Sequence, residues 1–189
     1  MKSLLFSNMA GSLKDRGDDL YETPPEAVHA ILKAETIPLT VCEPACGPGA
    51  IVKVLRETGR AVVASDIKDY GCPDAKSGED FLLAKEAHGG VPCLLTNPPF
   101  KLATEFIDKA TDLYPLTIML LRLEYLAAYH KGLLDHKPVS RIHAFKKRLP
   151  MMHRHGWTGP RTTTRMNFAW FVWDRDYHGP TILERITWE

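Results

Sequence analysis

Apolar runs and apolar residues at helical spacing alternate along the first two thirds of the chain. The runs that predict buried strands are residues 39–43, 61–66, 93–97 and 116–123. The segments that predict helices are residues 23–35, 51–59, 101–114 and 124–134. Strands that alternate with helices in this way predict an α/β fold, with an open, mainly parallel sheet and helices on both of its faces.

The hydrophobic pattern changes in the last third of the chain. Residues 140–149 and 166–174 predict two long strands, and residues 181–188 predict a last one. We therefore expect the sheet to end in an antiparallel, β-rich part. Residues 1–20 are polar and are predicted to be loosely ordered, whereas residues 21–189 are predicted to form a single domain.

Composition narrows the class of protein. No apolar run is as long as a membrane span, and the N-terminus lacks the long apolar segment of a signal peptide. We therefore expect a cytoplasmic protein without a membrane partner. The spacing of Cys42, Cys46, Cys72 and Cys93 matches no zinc site, which predicts free thiols, with Cys42 and Cys93 packed in strands, and no bound metal.

The net charge of +1 conceals an uneven distribution of charge. Residues 1–135 carry 14 Lys/Arg and 19 Asp/Glu, whereas residues 136–173 carry eight Lys/Arg, four His and no acidic residue. Such a block favours contact with phosphate groups, although a solvated loop of charged residues is the competing interpretation. The candidate nucleic-acid contacts in this block are Lys146, Lys147, Arg148, Arg154, Arg161 and Arg165, with Trp157 as a side chain that could stack or wedge.

Polar residues follow the predicted strands where the strands end, and open parallel sheets bind ligands at that edge. Glu43 ends the first strand and is followed by a loop with two glycines. Asp66 ends the second strand and could accept hydrogen bonds from ribose hydroxyls, or could only cap a turn. Asp80 precedes Phe81, and the third strand runs into the sequence Asn-Pro-Pro-Phe at residues 97–100.

Two of these motifs, the glycine loop and the Asn-Pro-Pro-Phe sequence, each allow another interpretation. A dinucleotide fingerprint that starts at Gly47 would need a third glycine where Val52 stands, and no Lys-Ser/Thr pair marks a phosphate-binding loop. Two adjacent prolines remove two backbone donors and fix two φ angles, so residues 97–100 form either a stiff corner or a rigid platform for a ligand.

The order of "EPACGPG", "SD", "EDF" and "NPPF" resembles the class I S-adenosylmethionine-dependent methyltransferases of the amino-group type. The likeness extends over residues 21–174 and is greatest to small phage and prophage DNA adenine-N6 methyltransferases, which implies a Rossmann-like methyltransferase domain. Many of those enzymes have Asp first and Tyr last in the fourth motif, where this chain has Asn97 and Phe100. Similar Asn-Pro-Pro-aromatic motifs occur in enzymes that act on RNA bases or on protein glutamine.

The resemblance assigns roles to residues by position. Asn97, the Pro98 carbonyl and Phe100 would hold the target amino group and its base. The residues implied in cofactor binding are Tyr21, Thr23, Pro24, Glu43, Ala45, Cys46, Gly47, Gly49, Asp66, Asp80, Phe81 and Asn97.

The function expected from these features is methyl transfer from S-adenosylmethionine to adenine N6, with DNA favoured over RNA. The resemblance also implies a phage or prophage role, such as masking sites from restriction. The rival functions are methylation of RNA or of protein glutamine, non-catalytic nucleic-acid binding, and nicotinamide-dependent oxidation.

Overall fold

The computed structural model describes residues 21–126, 137–150 and 166–189. The helices are α1 (Pro25–Ala34), α2 (Ala50–Glu57) and α3 (Ala103–Leu113). The strands are β1 (Thr40–Glu43), β2 (Ala61–Asp66), β3 (Lys76–Ser77), β4 (Cys93–Thr96), β5 (Leu116–Arg122), β6 (Arg141–Phe145), β7 (Phe168–Asp174) and β8 (Ile182–Ile186).

The eight strands of the described residues form one sheet in the order β3-β2-β1-β4-β5-β7-β6-β8. The strands from β3 to β5 are parallel, and β7 is antiparallel to both of its neighbours, β5 and β6. Helices α1 and α2 pack on one face of the sheet, and α3 packs on the other. The predicted fold, a mainly parallel sheet covered on both faces with an antiparallel C-terminal part, is confirmed.

The direction of the strands places several of their ends together. Because β5 and β6 are each antiparallel to β7, they run in the same direction as β1, β2 and β4. The carboxyl ends of these five strands therefore lie along one edge of the sheet, which we call the carboxyl edge. Thr96 of β4 pairs with Met119, so β5 continues for three residues beyond β4 and ends at Arg122.

Some elements differ from their predicted bounds. Strand β6 ends at Phe145 instead of continuing to residue 149, because the next three residues are charged and exposed. The helix predicted at residues 101–114 begins with a 3₁₀ turn, Phe100–Leu102, before α3. Of the helix predicted at residues 124–134, the structure describes only the 3₁₀ turn Leu123–Leu126. The predictions for residues 1–20 and 151–165 lie outside the described residues.

The loop between β1 and α2 depends on glycine. Gly47 and Gly49 have φ angles of 51° and 93°, in the region where a side chain is strained. A Cβ atom on Gly49 would lie 2.7 Å from the Cys72 sulfur, so a side chain at this position would also clash. The chain can therefore turn sharply out of β1 and bring the backbone of residues 45–49 close to the end of β2.

The core is packed without disulfide crosslinks. Cys42 and Cys93 are fully buried in β1 and β4, and all four cysteines, which lie in the described part, are free. No helix of the described residues is both long and apolar enough to cross a membrane.

Candidate active site

A cavity of about 630 Å³ opens at the carboxyl edge, between the loops that follow β1, β2 and β4. Its volume is within the range of small-molecule sites, about 300–1,000 Å³. The predicted site residues on its wall are Tyr21, Thr23, Glu43, Ala45, Cys46, Gly47, Asp66, Asp80, Phe81, Asn97, Pro98 and Phe100. Four motifs that are far apart in the sequence therefore meet at one cavity.

Glu43 forms the acidic floor of this cavity. Its side chain is 2% exposed, and burial raises the pKa of its carboxyl well above the ordinary value. The nearby charge of Asp66 raises that pKa further, while a hydrogen bond from the Val52 backbone lowers it. The second carboxyl oxygen, Oε2, is sheltered from solvent and has no hydrogen-bond partner among the described residues.

Asp66 joins the glycine loop to the end of β2. Its Oδ2 accepts a hydrogen bond from the Gly47 backbone at 2.9 Å, and its Oδ1 accepts one from the Lys68 backbone at 3.2 Å. Asp66 is 8% exposed, so its carboxylate faces the cavity from a nearly enclosed position. The two bonds fix its orientation, and no cationic side chain of the described residues pairs with it.

Asp80 and Phe81 form another wall. The Asp80 carboxylate caps a 3₁₀ turn by accepting a hydrogen bond from the Leu82 backbone at 3.0 Å. Phe81 is 2% exposed, and its ring packs against Phe106 of α3 with centroids 5.0 Å apart. An acceptor beside a fixed aromatic ring can bind the amino group of a heterocycle that packs on that ring.

The turn after β4 holds Asn97 in one orientation. Its Nδ2 donates a hydrogen bond to the backbone carbonyl of Tyr21 at 3.1 Å, so the side-chain oxygen points away from that carbonyl. The Pro99 carbonyl accepts a bond from the Leu102 backbone at 2.9 Å and starts the 3₁₀ turn before α3. Two prolines and these two bonds make the turn rigid.

Phe100 lies among aromatic and cationic side chains. Its ring stacks on Tyr21, with centroids 5.1 Å apart and planes inclined by 22°, and it lies 5.8 Å from the ring of Phe168. The guanidinium carbon of Arg122 lies 4.7 Å from the Phe100 centroid. A base that stacks on Phe100 would therefore have to share or replace one of these contacts.

Two predicted cofactor residues do not line the cavity. Pro24 precedes α1, and its carbonyl accepts the hydrogen bond from Ala27 that opens the helix. Gly49 is the N-cap of α2 and packs against Cys72. Both shape the adjoining segments without contacting the cavity.

Sequence reasoning missed several residues of the site. The cavity wall also contains Glu22, Lys68, Tyr70, Lys101, Leu102 and Phe106. Lys68 and Tyr70 follow Asp66 so closely that proximity to a strand end could have indicated them. Arg122 had no such local signal, because only the extension of β5 beyond β4 brings it to Phe100.

The predicted nucleic-acid residues divide into two groups. Lys146, Lys147 and Arg148 follow β6 at the carboxyl edge and are exposed. Lys147 pairs with Glu189 at 2.6 Å, whereas the other two form no ion pair within the described residues. The remaining four, Arg154, Trp157, Arg161 and Arg165, lie outside the described residues. In the part of the chain that the structure describes, no cluster of three or more His, Cys, Asp or Glu side chains could hold a metal ion.

The chain is similar in fold to solved methyltransferase structures. The modification subunit of a proposed type I restriction enzyme from Vibrio vulnificus has a TM-score of 0.55 and 15% identity, over 90% of this chain and 48% of that one. An S-adenosylmethionine-dependent O-methyltransferase from Thermotoga maritima has a TM-score of 0.53 and 13% identity, over 82% and 66% of the two chains. A dimethyladenosine transferase from Plasmodium falciparum has a TM-score of 0.52 and 14% identity, over 81% and 61%.

The fold is the Rossmann-like methyltransferase fold. The chain spans between about half and two thirds of these three proteins. No protein-family model matches the sequence, and no curated protein matches it. Likeness at this level of identity concerns the fold, so the chemistry has to be inferred from the cavity.

Proposed function

We propose that this chain transfers a methyl group from S-adenosylmethionine to an exocyclic amino group of a nucleic-acid base, with adenine N6 in DNA as the favoured acceptor. The observation that supports this most is the single cavity with two different sides. Glu43, Asp66 and Asp80 line one side, and the rigid turn at residues 97–100 lines the other.

The acidic side fits the proposed cofactor by its chemistry. Besides its own carboxylate, S-adenosylmethionine carries a sulfonium, an ammonium, two ribose hydroxyls and an adenine amino group, and these cationic and donor groups favour carboxylate partners. The sheltered Glu43 Oε2 is an acceptor without a hydrogen-bond partner among the described residues, which suits a cationic or donor-rich ligand. Asp66 is placed for the ribose and Asp80 with Phe81 for the adenine.

The same acidity counts against nicotinamide-dependent oxidation. A dinucleotide places its pyrophosphate at the glycine loop and at the N-terminus of the following helix. Here the nearly buried carboxyl groups of Glu43 and Asp66 lie beside that loop, and Asp66 already binds the Gly47 backbone. Like charges at that position would repel the phosphates.

On the opposite side, residues 97–100 supply acceptors and an apolar platform. The bound cofactor would supply an electrophilic methyl group. An exocyclic amine on a heterocycle is a poor nucleophile because its lone pair is delocalised into the ring. The Asn97 side-chain oxygen and the Pro98 carbonyl would accept the two amine hydrogens, which favours a pyramidal nitrogen with its lone pair directed at the methyl carbon.

The rest of the step follows from positioning. As the new nitrogen–carbon bond forms, the carbon–sulfur bond breaks, and one amine proton leaves to solvent. Phe100 would hold the base after it leaves its stack, in the place that the Tyr21 ring occupies in this structure. A charged base is not needed, because acceptors at Asn97 and Pro98 suffice to orient the amine.

The basic residues support a nucleic-acid acceptor over a protein glutamine. Lys146 and Arg148 are exposed at the same edge as the cavity and belong to the acid-free block of residues 136–173. DNA is favoured over RNA by the motif resemblance and by the fold similarity to a modification subunit. The dimethyladenosine transferase with the same fold supports an adenine acceptor and keeps RNA as the second candidate.

One experiment tests the function directly. The protein is incubated with S-adenosylmethionine carrying a labelled methyl group and with separate pools of unmethylated DNA, RNA and protein, and the modified nucleoside or residue is identified. We expect N6-methyladenine in DNA. Label in RNA or in glutamine would mean that RNA or protein, and not DNA, is the acceptor. Tight cofactor binding without label in any pool would favour the non-catalytic alternative.

A further inference from the structure

Arg122 lies at the junction between the cavity and the basic part of the carboxyl edge. It is the last residue of β5, three residues beyond the partner of Thr96, and it pairs with Phe168 of β7. From there its side chain extends over the turn at residues 97–100, with the guanidinium carbon 4.7 Å from the Phe100 centroid. The contact places a cation directly above the proposed base platform.

No carboxylate of the described residues neutralises this cation. Arg122 forms no ion pair with a described residue, and its Nε is sheltered from solvent without a hydrogen-bond partner among them. Arg141, by contrast, is paired with Glu35 and Asp174, and Arg60, which has no ion pair with a described residue either, donates to backbone carbonyl oxygens. A guanidinium with a sheltered Nε and neither an anion nor a hydrogen-bond acceptor among the described residues is unfavourable, which favours an anion of a ligand as its partner.

The cavity itself does not provide that anion. Its deep wall is acidic, and the one anion of the proposed cofactor is its carboxylate. Arg122 is not among the residues that line the cavity, which favours a phosphate of the acceptor over that carboxylate as its partner. Beyond Arg122, the next cations at the edge are Lys146 and Arg148, which follow β6 two strands away in the sheet. Neighbouring strands are about 4.8 Å apart, so these cations continue the positive surface from the cavity mouth outward.

We propose that Arg122 binds a backbone phosphate next to the nucleotide whose base reaches Phe100. A guanidinium that lies over an aromatic ring can still donate from its edge to two phosphate oxygens, which an ammonium group cannot do with the same geometry. The proposal rests on the nucleic-acid acceptor proposed above. It makes Arg122 a residue that sets the position of the strand, and phosphate contacts of this kind carry no sequence information.

The alternative is that Arg122 only packs on Phe100 and keeps the ring in place. The two roles differ in their salt dependence, because a phosphate contact releases counterions and an internal packing contact does not. Three variants separate them: Arg122→Gln, which removes the charge, Arg122→Lys, which keeps it, and Lys33→Gln. Lys33 is an exposed cation in the last turn of α1 and serves as the charge-matched control.

The experiment measures the affinity of the cofactor-loaded protein for a mixed-sequence DNA duplex and for a single strand of the same sequence, between about 50 and 200 mM salt. We expect Arg122→Gln to weaken binding about tenfold, the size of one lost charged hydrogen bond. The slope of log affinity against log salt should become shallower by about 0.9 for the duplex, or by about 0.7 for the single strand. Arg122→Lys should restore the slope, and Lys33→Gln should leave it at the wild-type value.

The outcomes distinguish this proposal from the proposed function. An Arg122→Gln protein with the wild-type salt slope but a lower melting temperature would overturn the phosphate contact and leave only a packing role. If the wild-type protein methylates nucleic acid and the Arg122→Gln variant keeps the wild-type affinity and salt slope, only this inference is overturned. Wild-type protein that binds neither the duplex nor the single strand and that methylates neither DNA nor RNA would overturn both proposals. Cofactor affinity of each variant, measured by calorimetry, verifies that the cavity is intact.

Discussion

Glu43 and Asp66 bring two carboxyl groups together where little water reaches them, at 2% and 8% exposure. Two negative charges in such a site repel each other, and burial alone disfavours ionised carboxyl groups. The raised pKa of Glu43 reflects both causes. These two carboxyl groups therefore lower the stability of the free protein, and a cationic ligand would relieve their repulsion.

This cost can be measured at Glu43. A carboxyl whose pKa is higher in the folded state destabilises the protein as pH rises above the unfolded value, about 4.3. Glu43→Gln keeps an acceptor for the Val52 backbone and removes the titration, so we expect the cofactor-free variant to be more stable than wild type near pH 7 and to approach it at low pH. S-adenosylmethionine affinity should fall. Melting curves over a pH series and calorimetry test both effects; a variant that is less stable at pH 7 and binds the cofactor normally contradicts the assignment.

Asp66 should contribute more directly to affinity. Asp66→Ala removes the acceptor placed for the ribose, and we expect cofactor binding to weaken by about 1–3 kcal/mol, the scale of a charged hydrogen bond. The control is Asp69→Ala, which removes an exposed carboxylate that, among the described residues, accepts a hydrogen bond only from the nearby Gly71 backbone. Calorimetry on folded protein gives the comparison. Equal affinities for the two variants would remove Asp66 from the site.

At the scale of elements, the decisive connection is the turn between β4 and α3. The turn is short, contains two prolines and ends in a 3₁₀ turn, so Asn97 and Phe100 are presented by rigid backbone. Tyr21 contacts both residues, through its carbonyl to Asn97 and through its ring to Phe100. The segment before α1 is thus linked to the proposed chemistry as well as to the cofactor cavity.

Asn97 and Phe100 should differ in what they affect. We expect Asn97→Ala to slow methyl transfer by orders of magnitude with the cofactor still bound, because it removes an acceptor used most in the transition state. Phe100→Ala should lose stacking of about 1–3 kcal/mol, and Phe100→Tyr should keep much of the activity. Single-turnover rates and melting temperatures separate these effects. A near wild-type rate in folded Asn97→Ala would contradict its proposed role. Rates that fall only in proportion to the unfolded fraction would mean that the turn has a structural role alone.

Elements were predictable from the sequence where one face or both faces of a strand are buried. The bounds of β2 match the prediction, because the apolar residues 61–64 lead directly into Ser65 and Asp66, and the last three residues of the strand are buried. Strand β3 was not predicted, since two residues carry no periodicity. The gathering of Glu43, Asp66 and Asn97 could be predicted from parallel strand order, which places these strand ends together, whereas Asp80 follows the unpredicted β3.

The contacts within the site could not be predicted in the same way. Tyr21 and Asn97 are 76 positions apart, and their bond depends on how the segment before α1 crosses the strand ends. The contact of Arg122 with Phe100 depends on the three residues by which β5 extends beyond the end of β4. The first contact depends on the course of a segment outside the sheet and the second on the register between two strands, and neither has a local marker in the sequence pattern.

The whole molecule separates its buried charges between two edges of the sheet. At the edge opposite the cavity, Glu35 follows α1 and accepts hydrogen bonds from Arg141 at 2.7 Å and from His143 at 2.6 Å. Arg141 also pairs with Asp174 at 2.9 Å, so the cluster joins a helix to β6 and β7. These groups are paired with one another, unlike the acidic wall of the cavity, and this indicates a structural role.

Glu35 should therefore affect stability and not the cavity. Burial opposes its ionisation, but the bonds from His143 and Arg141 leave the pKa of Glu35 below the ordinary value. A carboxyl of this kind contributes stability above its unfolded pKa and loses it as pH falls through the folded pKa. Glu35→Gln should lower the free energy of unfolding by about 1–3 kcal/mol at pH 7, with a smaller difference below about pH 4. Denaturant titrations over pH test this; a pH-independent difference contradicts it, and cofactor affinity should match wild type.

We expect the exposed cations of the carboxyl edge to bind the phosphates of a nucleic acid together. Lys146 and Arg148 form no ion pair within the described residues, whereas Lys147 between them is paired with Glu189. If both unpaired cations contact phosphates, the double variant Lys146→Gln/Arg148→Gln should flatten the salt dependence of binding by about 1.4–1.8, at 0.7–0.9 for each contact. The charge-matched control is Lys33→Gln/Lys53→Gln, on the exposed faces of α1 and α2. Equal slopes for the two double variants would mean that only overall charge acts at a distance and that the strand lies elsewhere. A difference in slope, with methyl transfer restored at saturating nucleic acid, would place the backbone of the acceptor along the ends of β5 and β6.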